Sequence, residues 1–275
     1  MEASSGKTSA TQASAAPPNA PKTPVIGPEE HARGLKEAQA KLQGSDLVAI
    51  QESLVTFGEL GGRAAAEAVV ARVRGGLPPQ LAEQAIELLG ALNQPVATPV
   101  LMELTQHRRW QIRQKAVAAL GELRVRSTVS ALLFALDDPS PEVRSQAAEA
   151  LGNVGDPRAL AALTTALERG VDGALTAIAK VGTSKQLDFL LTRAKGDVKA
   201  TEPALWAWLQ RSNVPAATKV KIIRGLDALN TEDALRALAG WQERLRAGEG
   251  DARLLAAFPK KAEAKAQATA QAVKP

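Results

Sequence analysis

The chain has 275 residues, of which 45% are hydrophobic and only 3% are aromatic, so Ala, Leu and Val supply its apolar mass. That composition favours close-packed helices over a β-sandwich. The absence of Cys excludes disulfides, thiol nucleophiles and cysteine metal sites, and two His are too few for a multi-histidine metal centre. The formal net charge of +5 is mildly basic for this size.

Residues 1–29 are predicted to form a disordered linker rich in Ala, Ser and Pro. They lack the apolar region of a secretory signal, although a chain whose leader had been removed could begin in the same way. No run approaches 18 apolar residues, so we expect no membrane insertion and a cytoplasmic location.

Three segments in the middle of the chain repeat one another every 31 residues, namely 81–92, 112–123 and 143–154. Their apolar positions superpose at spacings of four, four and three, which marks one face of an α-helix. Glycine recurs at the same phase, as Gly90, Gly121 and Gly152. A glycine there permits either the close approach of another helix or a left-handed helix cap.

A second helical pattern lies between these segments, at residues 129–136 and again at 160–167. The repeating unit is therefore a pair of antiparallel helices joined by short turns rich in Asp and Pro, such as 137–141 and 155–157. One such pair cannot bury its apolar face alone, whereas stacked pairs can. The sequence therefore predicts a superhelical solenoid.

Residues 143–167 read VRSQAAEALGNVGDPRALAALTTAL, with an aliphatic–Arg pair, Ala-rich spacing, Leu-Gly and then Gly-Asp-Pro. This segment resembles a HEAT repeat of the short bacterial type named after phycobilisome lyases. The copy at 112–136 keeps Ile-Arg and Leu-Gly but lacks Gly-Asp-Pro. The resemblance covers residues from about 45 to 195 and implies an all-α fold.

The resulting prediction is an α-solenoid of about six HEAT-like helix pairs over residues 30–247, with the clearest repeats at 78–182. The inner helix after Gly173 lacks the usual start and should be short. The helix pairing after residue 200 stays open, because 219–229 resembles an inner helix where simple alternation requires an outer one. Residues 248–275, rich in Lys and Ala, are predicted to be a frayed or disordered tail.

The resemblance also implies structural roles for two arginines. In the family, the Arg of the aliphatic–Arg pair braces neighbouring repeats through hydrogen bonds to backbone or to an Asp in a turn. Arg113 and Arg144 occupy that position here, and Asp138 or Asp156 would be the partner. A guanidinium suits this role because it can donate a bidentate pair of hydrogen bonds.

No catalytic site and no cofactor are expected from the motifs. HEAT-repeat iron hydroxylases need paired His-Glu dipeptides, and this chain contains none. It also has no GxGxxG, no P-loop and no Ser/His/Asp set in a suitable context, and we interpret His107 as a lone surface residue. The chain is therefore not expected to be an enzyme.

The segment from Arg108 to Arg126 is basic and contains Trp110, a combination that can hold phosphates and stack a base. Nucleic-acid binding is therefore one alternative. It is less favoured, because the overall basic excess is small and solvated turn charges explain the run equally well.

The positions of the tryptophans predict which of them are buried. Trp206 and Trp208 lie about 200° apart on a predicted helix, so they cannot share one buried face. One of them should be partly exposed or pack on a capping segment. Trp110 begins a predicted inner helix, and the sequence leaves open whether it is exposed in a binding groove.

The predicted function is a non-catalytic protein–protein interaction scaffold or adaptor that binds another protein or a peptide on its concave surface, which the inner helices line. The expected contacts come from two successive inner helices: Trp110, Gln111, Gln114, Lys115, Ser145, Gln146 and Glu149. A minor alternative, implied by the resemblance, is a lyase-like or chaperone-like subunit that assists the modification of another protein.

Overall fold

The computed structural model describes residues 27–259, which form fourteen α-helices and no β-strand. The predicted linker up to residue 26 and the tail from residue 260 lie outside the described residues. The helices are α1 Pro28–Leu42, α2 Leu47–Leu60, α3 Gly62–Arg74, α4 Pro79–Leu92, α5 Thr98–Leu104, α6 Trp110–Leu123, α7 Val129–Ala135, α8 Pro141–Val154, α9 Leu160–Glu168, α10 Ala174–Val181, α11 Ser184–Ala194, α12 Val198–Leu209, α13 Ala216–Leu229 and α14 Glu232–Arg246.

These helices form seven consecutive pairs, from α1–α2 to α13–α14, in the part of the chain that the structure describes. The even-numbered helices contact one another in sequence from α2 to α14, and the odd-numbered helices form a second row outside them. The predicted α-solenoid is therefore confirmed, with one helix pair more than the sequence predicts. The ambiguous helix α13 lies against α11 in the odd-numbered row, so simple alternation holds to the end.

The ends of the repeated helices are set by local sequence. Pro79 and Pro141 each take the first helical position, where a missing N–H costs nothing. The residues that follow α4, α6 and α8 are Asn93, Arg124 and Gly155, and all three adopt a left-handed conformation with φ of 50°, 51° and 71°. The left-handed residue that ends each of these helices therefore recurs with the 31-residue period.

The recurrent glycines serve the other role that the sequence allows, close approach between helices. A Cβ atom on Gly121 would lie 2.8 Å from the Cα of Ala150 in α8, and one on Gly152 would lie 3.0 Å from the Cα of Ala177 in α10. Backbones can approach this closely only where a side chain is missing. These contacts allow the even-numbered helices to pack closely, as expected of the inner helices of a solenoid, and the even-numbered row is called the inner row below.

The apolar interior divides into two clusters of buried residues. The first runs from Ala38 to Val181, and the second runs from Leu175 to Leu254. Helix α10 contributes to both, with Ile178 in the first cluster and Ala179 in the second. With eight residues it is as short as the sequence predicts.

The second cluster buries both tryptophans of α12. The indole of Trp206 packs 5.8 Å from that of Trp241 in α14, so it meets the last helix pair, as one of the two sequence-based alternatives requires. Trp208 is buried beneath the guanidinium of Arg211, 4.7 Å from the ring centre. The folded part also extends past the predicted boundary at residue 247, because the 3-10 helix Ala252–Ala257 buries Leu254.

Candidate partner-binding groove

A groove of about 670 Å³ crosses three neighbouring helices of the even-numbered row, α6, α8 and α10. Four of the residues predicted to contact a partner line it: Gln114, Ser145, Gln146 and Glu149. Its remaining polar lining comes from Glu142, Asp172, Thr176 and Lys180. The polar side chains of the groove thus include one ammonium group and three carboxylates, and the rest of its lining is Pro141, Gly173 and Ala177.

The groove exists because α10 is short. Helix α8 has 14 residues and α10 has eight, so the first turn and a half that α10 would need to match α8 is missing. Gly173, which precedes α10, adopts a left-handed conformation with φ of 80°. The small side chain of Ala177 also lines the groove. Sequence reasoning missed Asp172, Thr176 and Lys180, because the loss of four residues breaks the 31-residue period that located the other contacts.

Three other predicted contacts do not line the groove: Trp110, Gln111 and Lys115. Trp110 is the first residue of α6 and is 38% exposed, and Gln111 beside it is also exposed. Lys115 makes an ion pair with Glu87 of α4. Lys115 therefore links two helices of the row and is not available as a free cation.

The carboxylates along this face differ in their surroundings. A hydrogen bond from the hydroxyl of Ser140, at 2.5 Å, lowers the pKa of Glu142. Burial raises the pKa of Glu122, and the negative charge of Glu87 raises it further. The Glu122 carboxylate lies over Gly90, where any Cβ atom would meet it.

The predicted brace between repeats has a clear geometry at Arg113. Its Nε and Nη2 atoms each donate to the carboxylate of Asp138 at 2.7 Å, and Nη1 donates to the carbonyl of His107 at 2.9 Å. Burial alone would raise the pKa of Asp138, but hydrogen bonds from Arg113 and from the backbone of Ser140 outweigh it and lower that pKa. Helix α6 is thereby tied to the turn before α8.

The second expected brace differs. Arg144 donates to the carbonyl oxygens of Asp138 and Pro139, at 2.8 and 3.0 Å, and not to a carboxylate. The position one repeat after Asp138 is Arg169, which offers no acceptor. Of the two alternative partners, Asp138 is the one that binds Arg113. Asp156 accepts from Arg158 instead, and this hydrogen bond lowers the pKa of Asp156 to about 2.

The basic segment from Arg108 to Arg126 does not form one patch. Arg108 and Arg109 precede α6, whereas Arg124 and Arg126 follow it, and a helix of 14 residues separates its ends by about 20 Å. The two cations between them, Arg113 and Lys115, are held by carboxylates.

Two further findings limit the chemistry of the described residues. Between residues 27 and 259, no three side chains among His, Asp and Glu come together in a way that could hold a metal ion. No helix in that range combines the length and the apolar character needed to cross a membrane.

Comparison with known proteins gives the following similarities. Residues 66–133 and 98–174 match the family model described as HEAT repeats. The complex of CpcE and CpcF of phycocyanin lyase from Nostoc sp. PCC7120 is 21% identical, with a TM-score of 0.50, and the match covers 82% of this chain and 97% of that one. Human deoxyhypusine hydroxylase is 18% identical with a TM-score of 0.40, covering 86% and 97% of the two chains. No curated protein matches the sequence significantly.

At these identities the lyase complex indicates the fold and nothing more. The matched residues run from within α3 to just beyond the end of α9, and these helices belong to the even-numbered and odd-numbered rows described above. The HEAT resemblance that residues 143–167 carry is therefore confirmed.

Proposed function

We propose that this chain, which contains HEAT repeats over residues 66–174, is a non-catalytic scaffold or adaptor that binds a partner protein or peptide on the inner row of helices. The observation that supports it best is the groove across α6, α8 and α10. Its lining contains amide and hydroxyl groups from Gln114, Gln146 and Ser145, which can both donate and accept hydrogen bonds with a polypeptide backbone.

The separation between core residues and groove residues also supports this proposal. Side chains that hold the fold, such as Leu120 and Leu151, are fully buried, while the polar groove residues are exposed or half-buried. Because each repeat contacts only its neighbours, inner-face residues are free to fit a partner without changing the core.

Filling the groove tests the proposal. In Ser145→Trp an indole occupies the groove, whereas in Ser130→Trp, on the exposed face of α7, it does not. We expect affinity capture with mass spectrometry to recover a specific partner with the wild type and with Ser130→Trp, and to lose it with Ser145→Trp. Equal recovery with both variants, at equal helix content by circular dichroism, would contradict binding in the groove.

Nucleic-acid binding is the weaker candidate. The separation of the basic residues at the two ends of α6, and the carboxylates in the groove, both disfavour an extended phosphate contact. Tight, salt-sensitive DNA binding that disappears in an Arg108→Glu/Arg109→Glu variant would reverse this order.

A further inference from the structure

We infer that the partner segment bound by the inner row is an extended stretch of a partner protein rich in Lys and Arg. This inference rests on the proposed scaffold function and specifies the chemistry of its partner. It comes from the distribution of charge along the inner row between α2 and α10, which differs in sign from the charge of the whole chain.

The groove residues identify the positions that would face the partner. Counting back 31 residues from Ser145 and Glu149 gives Gln114 and Ala118 in α6, and 31 more give Glu83 and Glu87 in α4. In α2 the offset is 32 residues, because Gly58 corresponds to Gly90, and these positions with their neighbours form the stripe from α2 to α10. Carboxylates dominate the stripe between α2 and α10: Glu52, Glu59, Glu83, Glu87, Glu122, Glu142, Glu149 and Asp172. Three lysines oppose them: Lys115, Lys180 and Lys41 of α1, which pairs with Glu52 at 3.1 Å. The stripe therefore keeps an excess of carboxylates, although the chain as a whole carries a net charge of +5.

Within the described residues, the cations of this face are already engaged and do not balance all of its carboxylates. Lys115 already binds Glu87, and Lys180 donates to the side-chain oxygen of Asn153 at 2.8 Å. The raised pKa of Glu122 reflects its burial and the nearby charge of Glu87. Cationic side chains of a partner would relieve this repulsion, whereas an anionic partner would increase it.

Apolar contact is available at the same face. Val48 and Val55 lie seven residues apart on α2, on one side of that helix, and are 64% and 59% exposed. They occupy the stripe position of the first inner helix beside Glu52. A segment with long cationic side chains fits such a mixed surface, because the methylene stems of Lys and Arg pack on apolar groups while their charged ends reach carboxylates.

The chain's own basic tail is a poorer occupant. Helices α14 and α12 lie between the end of the described residues and the acidic stripe, so the tail would have to cross both helices to reach it. The five inner helices from α2 to α10 span about 32–40 Å at ordinary helix spacing, which an extended segment of about twelve residues covers.

The probe is a fluorescent peptide of twelve residues that alternates Lys and Ser, with a matched peptide that alternates Glu and Ser. We expect fluorescence anisotropy to detect binding of the Lys peptide only, with an affinity that falls as salt is raised. Glu83→Lys/Glu149→Lys should weaken this binding by at least about tenfold.

The matched control is Glu103→Lys/Glu168→Lys, which makes the same change in charge on exposed residues of the odd-numbered helices α5 and α9. It should leave the affinity within about twofold of the wild type. Equal weakening by both double variants would mean that the peptide senses only net charge, and absence of binding would equally overturn the inference. A gain of about tenfold in a chain ending at residue 259 would identify the chain's own tail as the occupant and would also overturn it.

Failure here is distinguishable from failure of the scaffold function. If the Lys peptide does not bind but Ser145→Trp still abolishes capture of a specific protein, the scaffold function stands and the charge preference is wrong.

Discussion

At the scale of single residues, two neighbouring aspartates show how burial decides the importance of an ion pair. Asp137 and Asp138 both bind an arginine of another element, Arg169 and Arg113 respectively. The side chain of Asp138 is 8% exposed and that of Asp137 is 70% exposed. Solvent screens the exposed pair, whereas loss of the Asp138 charge weakens both hydrogen bonds from Nε and Nη2 of Arg113, whose side chain is only 13% exposed.

We therefore expect Asp138→Asn to lower the free energy of unfolding by about 2 kcal/mol at pH 7, and Asp137→Asn to change it by less than about 0.5 kcal/mol. The folded-state pKa of Asp138 is lowered, so its stabilisation is complete above the unfolded pKa near 3.8 and is lost as the pH falls through the folded value. Urea unfolding of both variants at pH 7 and pH 3 checks this. A deficit for Asp138→Asn that is as large at pH 3 as at pH 7 would contradict the electrostatic explanation.

At the scale of helices, the sequence predicts most where the period is strict. The 31-residue repeat locates α4, α6 and α8 and the groove contacts on α6 and α8, because the same apolar face and the same cap recur. The sequence predicts less well which row a helix packs in, because that depends on tertiary contacts. Helix α13 ends in a left-handed Asn230, as the inner helix α4 ends in Asn93, yet it packs in the outer row. A cap is a local property and does not specify the row.

The close contacts between inner helices give a prediction at this scale. Gly→Ala within a helix ordinarily stabilises by about 0.5–1 kcal/mol, because it restricts the unfolded chain. At Gly121 the new methyl group would lie 2.8 Å from the Cα and Cβ of Ala150, which cannot rotate away. We expect Gly121→Ala to destabilise by about 1–3 kcal/mol through overpacking.

Gly240 in α14 provides the control, because nothing lies within 4 Å of its added Cβ. Gly240→Ala should raise the free energy of unfolding measured in urea. If both substitutions stabilise, the inner helices are less tightly spaced than Gly121 and Ala150 indicate.

At the scale of the whole molecule, the solenoid is a series of nearest-neighbour contacts whose core divides at α10. A chain of this kind has no contact that links its two ends, so its parts can lose structure separately. Tryptophan fluorescence can follow the unfolding of the two clusters separately. Trp206, Trp208 and Trp241 all lie in the second cluster, while Trp110 lies on α6, which packs in the first.

In a Trp110→Phe background, fluorescence therefore follows the second cluster alone, while circular dichroism follows all helices. Leu120 and Leu226 are fully buried, in the first and second cluster respectively, and truncation of such a leucine costs about 2–5 kcal/mol. We expect Leu226→Ala to lower the urea midpoint by fluorescence, and Leu120→Ala to shift only the loss of helix signal, leaving the fluorescence midpoint unchanged. A single transition that both substitutions shift equally would mean that α10 couples the two clusters into one cooperative unit. In that case a partner bound in the groove would stabilise both clusters together, because the groove is lined by residues of α10.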